Sequence, residues 1–246
     1  MSASVAKQRL DLLLVQRGLC ASREKAQRLI MAGQVFSGGT RLEKASQSLA
    51  GDVPLEVRAG ERYVGRGGLK LEHALRHFGV DPAGLVCLDV GASTGGFTDC
   101  LLQHGAAKVF ALDVGHGQLA WKIRNDPRVV VMEHCNARHL KPGDISELTQ
   151  LATVDVSFIS LTLVLPPMAA LLSDGGMILA LIKPQFELSR DEVGRGGVVR
   201  DEDARARAVE KIRAFVAERG WQWGGVTGSP ITGADGNREF LCLIRP

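Results

Sequence analysis

Four charged side chains stand where they could act together on a hydroxyl group. Lys183 directly follows the apolar run 176–182, and Asp155 ends an earlier apolar run in the stretch DVSF. The other two are Lys70, in GLKL, and Glu239, which opens the last apolar run in NREF. Because the carboxyl ends of parallel strands meet at one edge of an α/β sheet, we expect Asp155 and Lys183 to be neighbours. Taken singly, each of the four is interpreted as a solvated charge, and Asp155 also as a helix N-cap.

The chemistry that such a set favours is methyl transfer to an alcohol oxygen. A lysine that is partly withdrawn from water and lies beside a carboxylate can take the proton of a hydroxyl group. We therefore interpret Lys183 as the proton acceptor. Enzymes that methylate exocyclic amines often carry two prolines after the acid at the end of this strand. DVSF lacks both prolines, which disfavours an amine as the target.

A glycine-rich turn and a later acid predict a site for a cofactor that contains adenosine. In LVCLDVGASTGGF a strand pattern leads into small residues and a helix, with the spacing G-x-x-x-G-G from Gly91. Asp113 ends the next strand, 22 positions after Gly91, where a carboxylate can accept hydrogen bonds from both ribose hydroxyls. NAD remains open on these residues. Asn136, after the third strand, is interpreted either as a contact to the adenine edge or as a helix cap.

Strand and helix patterns alternate from residue 85 onward, which predicts a parallel α/β sheet. Strands are predicted at 85–90, 107–113, 128–132, 151–156 and 176–182. Helices are predicted between them and after the last, including 95–104, 117–123, 161–172 and 202–219. Two closing β-runs, near 225–231 and 239–244, are typical of a hairpin at the sheet edge.

The first 60 residues differ from the rest of the chain in charge. They contain nine Lys/Arg and five Asp/Glu, a net charge of +4, against −1 for residues 61–246. Two helix patterns, 7–18 and 22–33, precede short β-like runs, so a small α+β module is predicted. A basic module beside a near-neutral body favours binding to a polyanion. The Gly/Arg-rich stretch 58–71 predicts a linker that enters a helix at Leu71.

Composition disfavours several classes of protein. The chain of 246 residues is 45% hydrophobic, which is enough for a substantial core. Its N-terminus lacks the apolar stretch of a secretion signal, and no run of 18 or more apolar residues occurs. The five cysteines include no C-x-x-C pair, so neither a disulfide framework nor a metal site is predicted. We expect a soluble cytoplasmic protein without stable membrane association.

These motifs together resemble the TlyA family of bacterial rRNA 2′-O-methyltransferases, also called hemolysins, whose catalytic domain is FtsJ-like (RrmJ-like). The resemblance covers nearly the whole chain, in order, through RLDLLLVQRGLCASREKAQRLIMAGQV, YVGRGGLKL, LDVGASTGGFTD, VGHGQLAWKIRNDPRV, DVSFISL, LIKPQFE and GNREFL. The first stretch also resembles an S4-type RNA-binding domain. The implied organisation is an S4-like domain at 1–60, a linker at 61–70 and a Rossmann-like methyltransferase domain at 71–246.

The resemblance also implies a cofactor, a substrate and a set of site residues. The implied cofactor is S-adenosylmethionine, and the implied substrate is the ribose of a cytidine in ribosomal RNA. The implied catalytic set is Lys70, Asp155, Lys183 and Glu239. The implied cofactor-binding residues are Gly91, Ala92, Ser93, Thr94, Gly95, Gly96, Phe97, Asp113, Asn136 and Asp155. The predicted RNA-binding residues are Arg9, Arg23, Lys25, Arg28 and Arg66.

Two other functions remain as alternatives at this point. One is a membrane-active cytolysin, which the older family name suggests, and the other is a non-catalytic RNA-binding factor of the ribosome. The complete catalytic set disfavours both, because neither function needs it. The sequence indicates neither the modified nucleotide and ribosomal subunit nor the oligomeric state.

Overall fold

The protein is described from a computed structural model, which covers residues 7–58 and 60–246 apart from the side chain of Arg195. The described residues form two compact units, one ending at Arg62 and the other running from Tyr63 to Pro246. This boundary falls inside the predicted linker 61–70. Tyr63 is only 3% exposed and packs into the core of the second unit, so that unit begins within the stretch we expected to be a linker.

The first unit is a small α+β module. Its elements are β1 (Lys7–Arg9), α1 (Leu10–Gln16), α2 (Arg23–Met31), β2 (Val35–Ser37), β3 (Thr40–Arg41), β4 (Ser48–Ala50) and β5 (Glu56–Val57). β1 pairs with β4, whereas β2 lies between β3 and β5. The first helix pattern thus begins as a strand and becomes helical only at Leu10. The second begins as predicted, with the Ser22 hydroxyl accepting a hydrogen bond from the Lys25 amide at 3.2 Å.

The second unit alternates strands and helices as predicted. Its helices are α3 (Gly67–Phe78), α4 (Gly96–Gln103), α5 (Trp121–Arg124), α6 (Leu165–Ala169), α7 (Pro184–Glu187) and α8 (Glu202–Glu218). Its strands are β6 (Val86–Val90), β7 (Lys108–Leu112), β8 (Val129–Met132), β9 (Thr149–Val154), β10 (Leu172–Ile182), β11 (Gln222–Gly228) and β12 (Phe240–Arg245). The unit has the Rossmann-like α/β fold that the sequence predicted.

These seven strands form one sheet in the order β8-β7-β6-β9-β10-β12-β11. The pairs among β8, β7, β6, β9 and β10 are parallel, and β12 runs antiparallel to both of its neighbours. β6 lies between β7 and β9, so the chain order reverses there. In open α/β sheets ligands bind at such a reversal, outside the carboxyl ends of the strands.

Apolar side chains cover both faces of this sheet. Leu179 and Leu181 face one apolar layer, with α3 and α4, whereas Ile178, Ala180 and Ile182 face the other, with α6 and α8. This alternation follows from the period of two in a strand. It also means that Lys183, two residues beyond Leu181, continues the row that faces α3.

Two predicted helices differ from the structure: the one predicted at 117–123 begins only at Trp121, as α5, and the continuous helix predicted at 161–172 is not formed. A 3₁₀ turn (Leu161–Leu163) and the short helix α6 take its place, and β10 already begins at Leu172. Pro166 and Pro167 lie in the first turn of α6, where a missing N–H costs nothing, and they prevent a helix from running through from 161. Among the described residues, no helix is long and apolar enough to cross a membrane.

Candidate active site

Strand register brings three of the four predicted catalytic residues to one end of the sheet. β10 and β12 pair through Ile182 and Phe240, so Lys183 and Glu239 are the next residues outward on neighbouring strands. β9, which precedes Asp155, pairs with the other side of β10. Asp155 thus follows β9, Lys183 follows β10 and Glu239 precedes β12. These three strands are adjacent, so the three residues lie at the same edge of the sheet. The predicted neighbourhood of Asp155 and Lys183 is what the structure shows.

Lys183 and Asp155 form a close ion pair. The Lys183 Nζ lies 2.6 Å from Oδ1 of Asp155 and donates a hydrogen bond to the Ser157 hydroxyl at 2.9 Å. The two charged side chains are only 11% and 20% exposed. Ser157 thus accepts a hydrogen bond from Nζ, whereas the buried Oδ1 of Asp155 accepts no hydrogen bond among the described residues and meets Nζ as an ion pair.

Lys70 and Glu239 form a second, more deeply buried ion pair. The Lys70 Nζ lies 2.6 Å from Oε2 of Glu239, and the two side chains are 10% and 3% exposed. Lys70 belongs to the second turn of α3, one turn after the exposed Arg66. A buried ion pair contributes little net stability, because removing two charges from water costs about as much as their attraction returns. Its place beside the first pair therefore favours a functional role over a purely structural one.

A cleft of about 890 Å³ opens at this edge of the sheet. Five of the predicted cofactor residues line it, namely Gly91, Ser93, Asp113, Asn136 and Asp155. The carboxylate of Asp113 accepts a 2.7 Å hydrogen bond from the amide of Ser93 on one oxygen and one of the same length from Gly115 on the other. Each oxygen keeps a second lone pair. Asn136 caps the 3₁₀ turn Ala137–His139, through a 3.1 Å bond from the Arg138 amide, while it also lines the cleft.

The glycine-rich turn makes room for backbone rather than only for a ligand. Gly91 has a φ of +85°, and a Cβ atom there would overlap the carbonyl oxygen of Asp155. A Cβ on Gly95 would press against Leu119, and one on Gly96 against the backbone of Gly65 and Gly68 where α3 begins. The remaining members of the turn differ in position. Ala92 lines a small neighbouring pocket with Ser93 and Asp113, Thr94 is exposed, and Phe97 is buried in the core.

A buried acid, which was not predicted from the sequence, lies in the strand that leads into this turn. Asp89, in the middle of β6, is fully buried, and the hydroxyls of Thr98 and Thr153 donate to its two oxygens at 2.6 and 3.2 Å. Burial raises the pKa of Asp89 to about 7, against the lowering effect of the two threonine hydrogen bonds. The only sequence signal was an aspartate inside an otherwise apolar strand, in LVCLDVG.

A second missed residue holds the wall of the cleft. Glu187 is 5% exposed and accepts hydrogen bonds from the Ser160 hydroxyl at 2.5 Å and the Leu161 amide at 2.7 Å. It also lies 3.2 Å from the Nζ of Lys211 on α8. Between this anchor and Asp155 lies Phe158, which is 90% exposed with a φ of +64° and lines the cleft. A bulky residue at such a φ is strained, and the structure around it must offset the cost. Glu187 fixes the chain two and three residues further on, at Ser160 and Leu161.

The residues predicted to bind RNA lie in both units. In the first unit Arg9 is half-exposed, and Arg23, Lys25 and Arg28 are exposed along the first two turns of α2. Arg66 is exposed at the N-terminus of α3 in the second unit. All five guanidinium or ammonium groups thus reach solvent within their own unit, as an RNA contact requires.

Comparison with known proteins places this architecture in a family. The model of the FtsJ-like methyltransferase family matches residues 63–245, and that of the S4 domain matches residues 8–52. The chain belongs to the FtsJ-like methyltransferase family. The match covers the whole sheet and all four residues of the two ion pairs.

Relatives of this FtsJ-like methyltransferase are similar over nearly its full length. YqxC of Bacillus subtilis is 52% identical over 237 residues, which is 96% of this chain and 84% of that protein. The 16S/23S rRNA (cytidine-2′-O)-methyltransferase TlyA of Mycobacterium tuberculosis is 47% identical over 239 residues, which is 96% of this chain and 89% of that protein. A solved structure described as a hemolysin from Streptococcus thermophilus has a TM-score of 0.75 at 44% identity, covering 98% of this chain and 89% of that one.

The cofactor of this FtsJ-like methyltransferase is S-adenosylmethionine. The cleft fits it in three respects. Its volume of about 890 Å³ is ample for a nucleoside-sized ligand, and Asp113 offers acceptor lone pairs for ribose hydroxyls. Leu112 and Val114 flank that carboxylate with apolar surface suited to adenine.

Proposed function

We propose that the protein transfers a methyl group from S-adenosylmethionine to the ribose 2′-hydroxyl of a cytidine in ribosomal RNA. The observation that carries the proposal is the pair of ion pairs, Lys183–Asp155 and Lys70–Glu239, of which Asp155 lines the cofactor cleft. The name of the M. tuberculosis relative, at 47% identity, supports a cytidine 2′-hydroxyl as the target. The S4 domain supports RNA as the macromolecule that is bound. A substrate in ribosomes implies action in the cytoplasm.

Each ion pair has a separate task in the proposed mechanism. When bound, the cofactor supplies a methyl group that is already activated by its positive sulfur. The ion pair with Asp155 and the hydrogen bond to Ser157 hold the Lys183 Nζ, so that its nitrogen can face the target hydroxyl group. In its neutral amine form Lys183 accepts the hydroxyl proton through the nitrogen lone pair as the oxygen becomes the nucleophile. The ammonium ion that results is stabilised by Asp155. In this arrangement the orientation of the hydroxyl group supplies most of the rate enhancement.

Lys70 and Glu239 position the ribose beside Lys183. Glu239 is the residue next outward on the strand beside Lys183, and its partner Lys70 arrives from α3 on the same face of the sheet. The pair is rigid because both side chains are buried and joined at 2.6 Å. A fixed carboxylate and ammonium can hold sugar hydroxyls and the adjoining phosphate with little loss of side-chain entropy.

The proposed cofactor contacts follow from the lining of the cleft. Asp113 would hold the ribose hydroxyls of the cofactor, and Asn136 would lie at the edge of its adenine. Gly91 would leave the turn open beside Asp155. Thr94, Gly95, Gly96 and Phe97 do not line this cleft, so we propose that they shape the turn from behind.

The substrate nucleotide must leave any helix it belongs to before its ribose can enter the cleft. Extruding a nucleotide costs a few kcal/mol in lost stacking and pairing. A folded ribosomal subunit that presents the nucleotide lowers this cost, so we propose an assembled or folded RNA as the substrate. Comparable methylation of a short oligonucleotide and of ribosomal subunits would contradict this part of the proposal.

The test removes the Lys183 ammonium group and measures methyl transfer and cofactor binding separately. Lys183→Ala is expected to reduce transfer of labelled methyl groups from S-adenosylmethionine to ribosomal subunits by at least a hundredfold, which is the order of loss for a positioned proton acceptor. Cofactor affinity, measured by calorimetry, is expected to stay close to that of the wild type.

Ser157→Ala is the matched control for the Lys183 variant. It removes one hydrogen bond from the ammonium group but keeps the ion pair with Asp155, so a loss of less than about tenfold is expected. Retained turnover in Lys183→Ala would remove this residue from the mechanism. Pore formation and simple RNA binding need neither ion pair, so methyl transfer that depends on Lys183 also separates this proposal from both alternatives.

A further inference from the structure

A fully buried carboxylate lies among the arginines of the N-terminal unit. Asp11, at the start of α1, is 0% exposed. Its Oδ1 accepts a hydrogen bond from Nε of Arg9 at 3.0 Å, and its Oδ2 accepts one from Nη2 of the same arginine at 2.8 Å. Oδ2 also accepts from Nε of Arg23 at 2.9 Å and from the amide of Gln27 at 3.2 Å. One carboxylate thus joins β1, α1 and α2.

The two arginines face solvent on the other side of these bonds. Their side chains are 40% and 52% exposed, whereas that of Asp11 is fully covered. Arg23 uses only its Nε toward Asp11, and in the described part of the chain no contact occupies its two terminal nitrogens. Those nitrogens form the planar fork that binds phosphate oxygens in pairs. The cluster keeps a net charge of +1.

We propose that Asp11 is a positioning residue, which fixes Arg9 and Arg23 so that their guanidinium groups meet a phosphate of the RNA backbone. This inference rests on the proposed function, since it assumes that the bound polyanion is RNA. Two free arginine side chains would lose rotamer entropy on binding and would repel each other. A buried acid between them removes the repulsion and holds their stems before RNA arrives.

Burial alone would not favour an aspartate at this position. An isolated carboxylate in the core is costly, and an apolar residue would fill the same space without that cost. The Arg9 hydrogen bonds, and then those of Arg23 and Gln27, hold the pKa of Asp11 well below its usual range. The acid is therefore charged throughout the physiological range, and the arginines stay anchored to it.

The test compares two substitutions that remove one negative charge each. Asp11→Asn releases the arginines, whereas Glu24→Gln removes an exposed acid beside Arg23 on α2 that does not belong to the described Asp11 cluster. Charge alone predicts that both variants bind RNA at least as tightly as the wild type, because each protein becomes more positive. Positioning by Asp11 predicts opposite results. Asp11→Asn should raise the Kd for purified ribosomal subunits about tenfold, whereas Glu24→Gln should leave it unchanged or lower it.

Two further readouts separate positioning from a loss of structure. The slope of log Kd against log salt should become shallower by about one unit in Asp11→Asn, as expected when one phosphate contact is lost. Methylation should show a raised KM for the subunits and an unchanged kcat. If the wild type binds subunits but does not methylate them, the proposed function fails while the binding comparison still tests Asp11.

Arg23→Lys covers the case in which Asp11→Asn does not fold. The variant keeps a positive charge beside Asp11. An ammonium group, however, lacks the planar guanidinium that can bind the acid through Nε and a phosphate through its two terminal nitrogens. The expected result is a Kd several-fold above that of the wild type with unchanged thermal stability. Wild-type affinity in Arg23→Lys, or unchanged or tighter binding in a folded Asp11→Asn, would overturn the inference.

Discussion

Replacing Asp89 with asparagine should change how the stability of the methyltransferase unit depends on pH. The fully buried carboxyl has a pKa of about 7, mainly because burial disfavours its charged form, and the charge of Asp155 adds to this effect. In the unfolded chain its pKa is 3.8. Between these values the folded protein holds a proton that the unfolded chain has released. Asp89 therefore contributes stability that is full below about pH 4 and is lost as pH rises through about 7.

The size of the effect follows from the difference between the two pKa values. A shift of about three units corresponds to about 4 kcal/mol over the whole range, of which roughly 2 to 3 kcal/mol falls between pH 5 and pH 8. Asparagine cannot ionise, and it can accept from one threonine hydroxyl while donating to the oxygen of the other. The wild type should thus lose roughly 2 to 3 kcal/mol relative to Asp89→Asn as pH rises from 5 to 8.

Urea unfolding followed by tryptophan fluorescence measures this difference in the relevant unit. All three tryptophans, Trp121, Trp221 and Trp223, lie between Tyr63 and Pro246, so their signal reports the methyltransferase unit and not the S4 domain. Unfolding free energies of wild type and variant would be compared at pH 5 and pH 8. Parallel pH dependences for the two proteins would contradict this prediction, because they would mean that the pKa of Asp89 is the same in the folded and the unfolded chain.

The other predictions concern the turn, the wall of the cleft and the second ion pair. Gly91→Ala should lower the unfolding free energy by more than about 2 kcal/mol and weaken cofactor binding, because the new Cβ would meet a backbone carbonyl. Gly79→Ala is the control: Gly79 also has a positive φ but lies in open space, so its replacement should lower the unfolding free energy by only about 1 kcal/mol. Glu187→Gln should lower the unfolding free energy, measured in urea, by about 1–3 kcal/mol, because the cleft wall that carries Phe158 loses its anchor. It should also lower kcat more than cofactor affinity. A kcat equal to that of the wild type would contradict this prediction. Glu239→Gln should raise KM for ribosomal subunits and lower kcat, while cofactor affinity, measured by calorimetry, stays unchanged. A loss of cofactor affinity would show that the Lys70–Glu239 pair serves the cofactor cleft instead.

Strand periodicity and strand order made part of the site predictable from the sequence. Asp155 and Lys183 both follow apolar runs, and parallel strands place their carboxyl ends at one edge, so the 2.6 Å ion pair agrees with the expectation. The pairing of Lys70 with Glu239, which are 169 positions apart, did not follow from spacing. It depends on β12 inserting beside β10 and on α3 packing against the same face, which only the assembled sheet determines.

Residues that act through burial were the ones the sequence could not identify. An acid within an apolar run gives no sign of its partners, and the threonines that bind Asp89 come from α4 and β9. The role of Gly95 and Gly96 could not be predicted either. Whether the absence of a Cβ makes room for a ligand or for neighbouring protein atoms depends on how α3 and α5 pack against the turn. The helix expected at 161–172 failed for a local reason, since the two prolines there confine helical structure to a short segment.

The most direct test of the account is the chemical identity of the product. Purified ribosomal subunits would be incubated with S-adenosylmethionine and either the wild type or Lys183→Ala, and their RNA would be digested to nucleosides for mass spectrometry. We expect 2′-O-methylcytidine with the wild type and only background levels with the variant at equal cofactor occupancy. A methyl group on a base, or equal 2′-O-methylation by the variant, would contradict it.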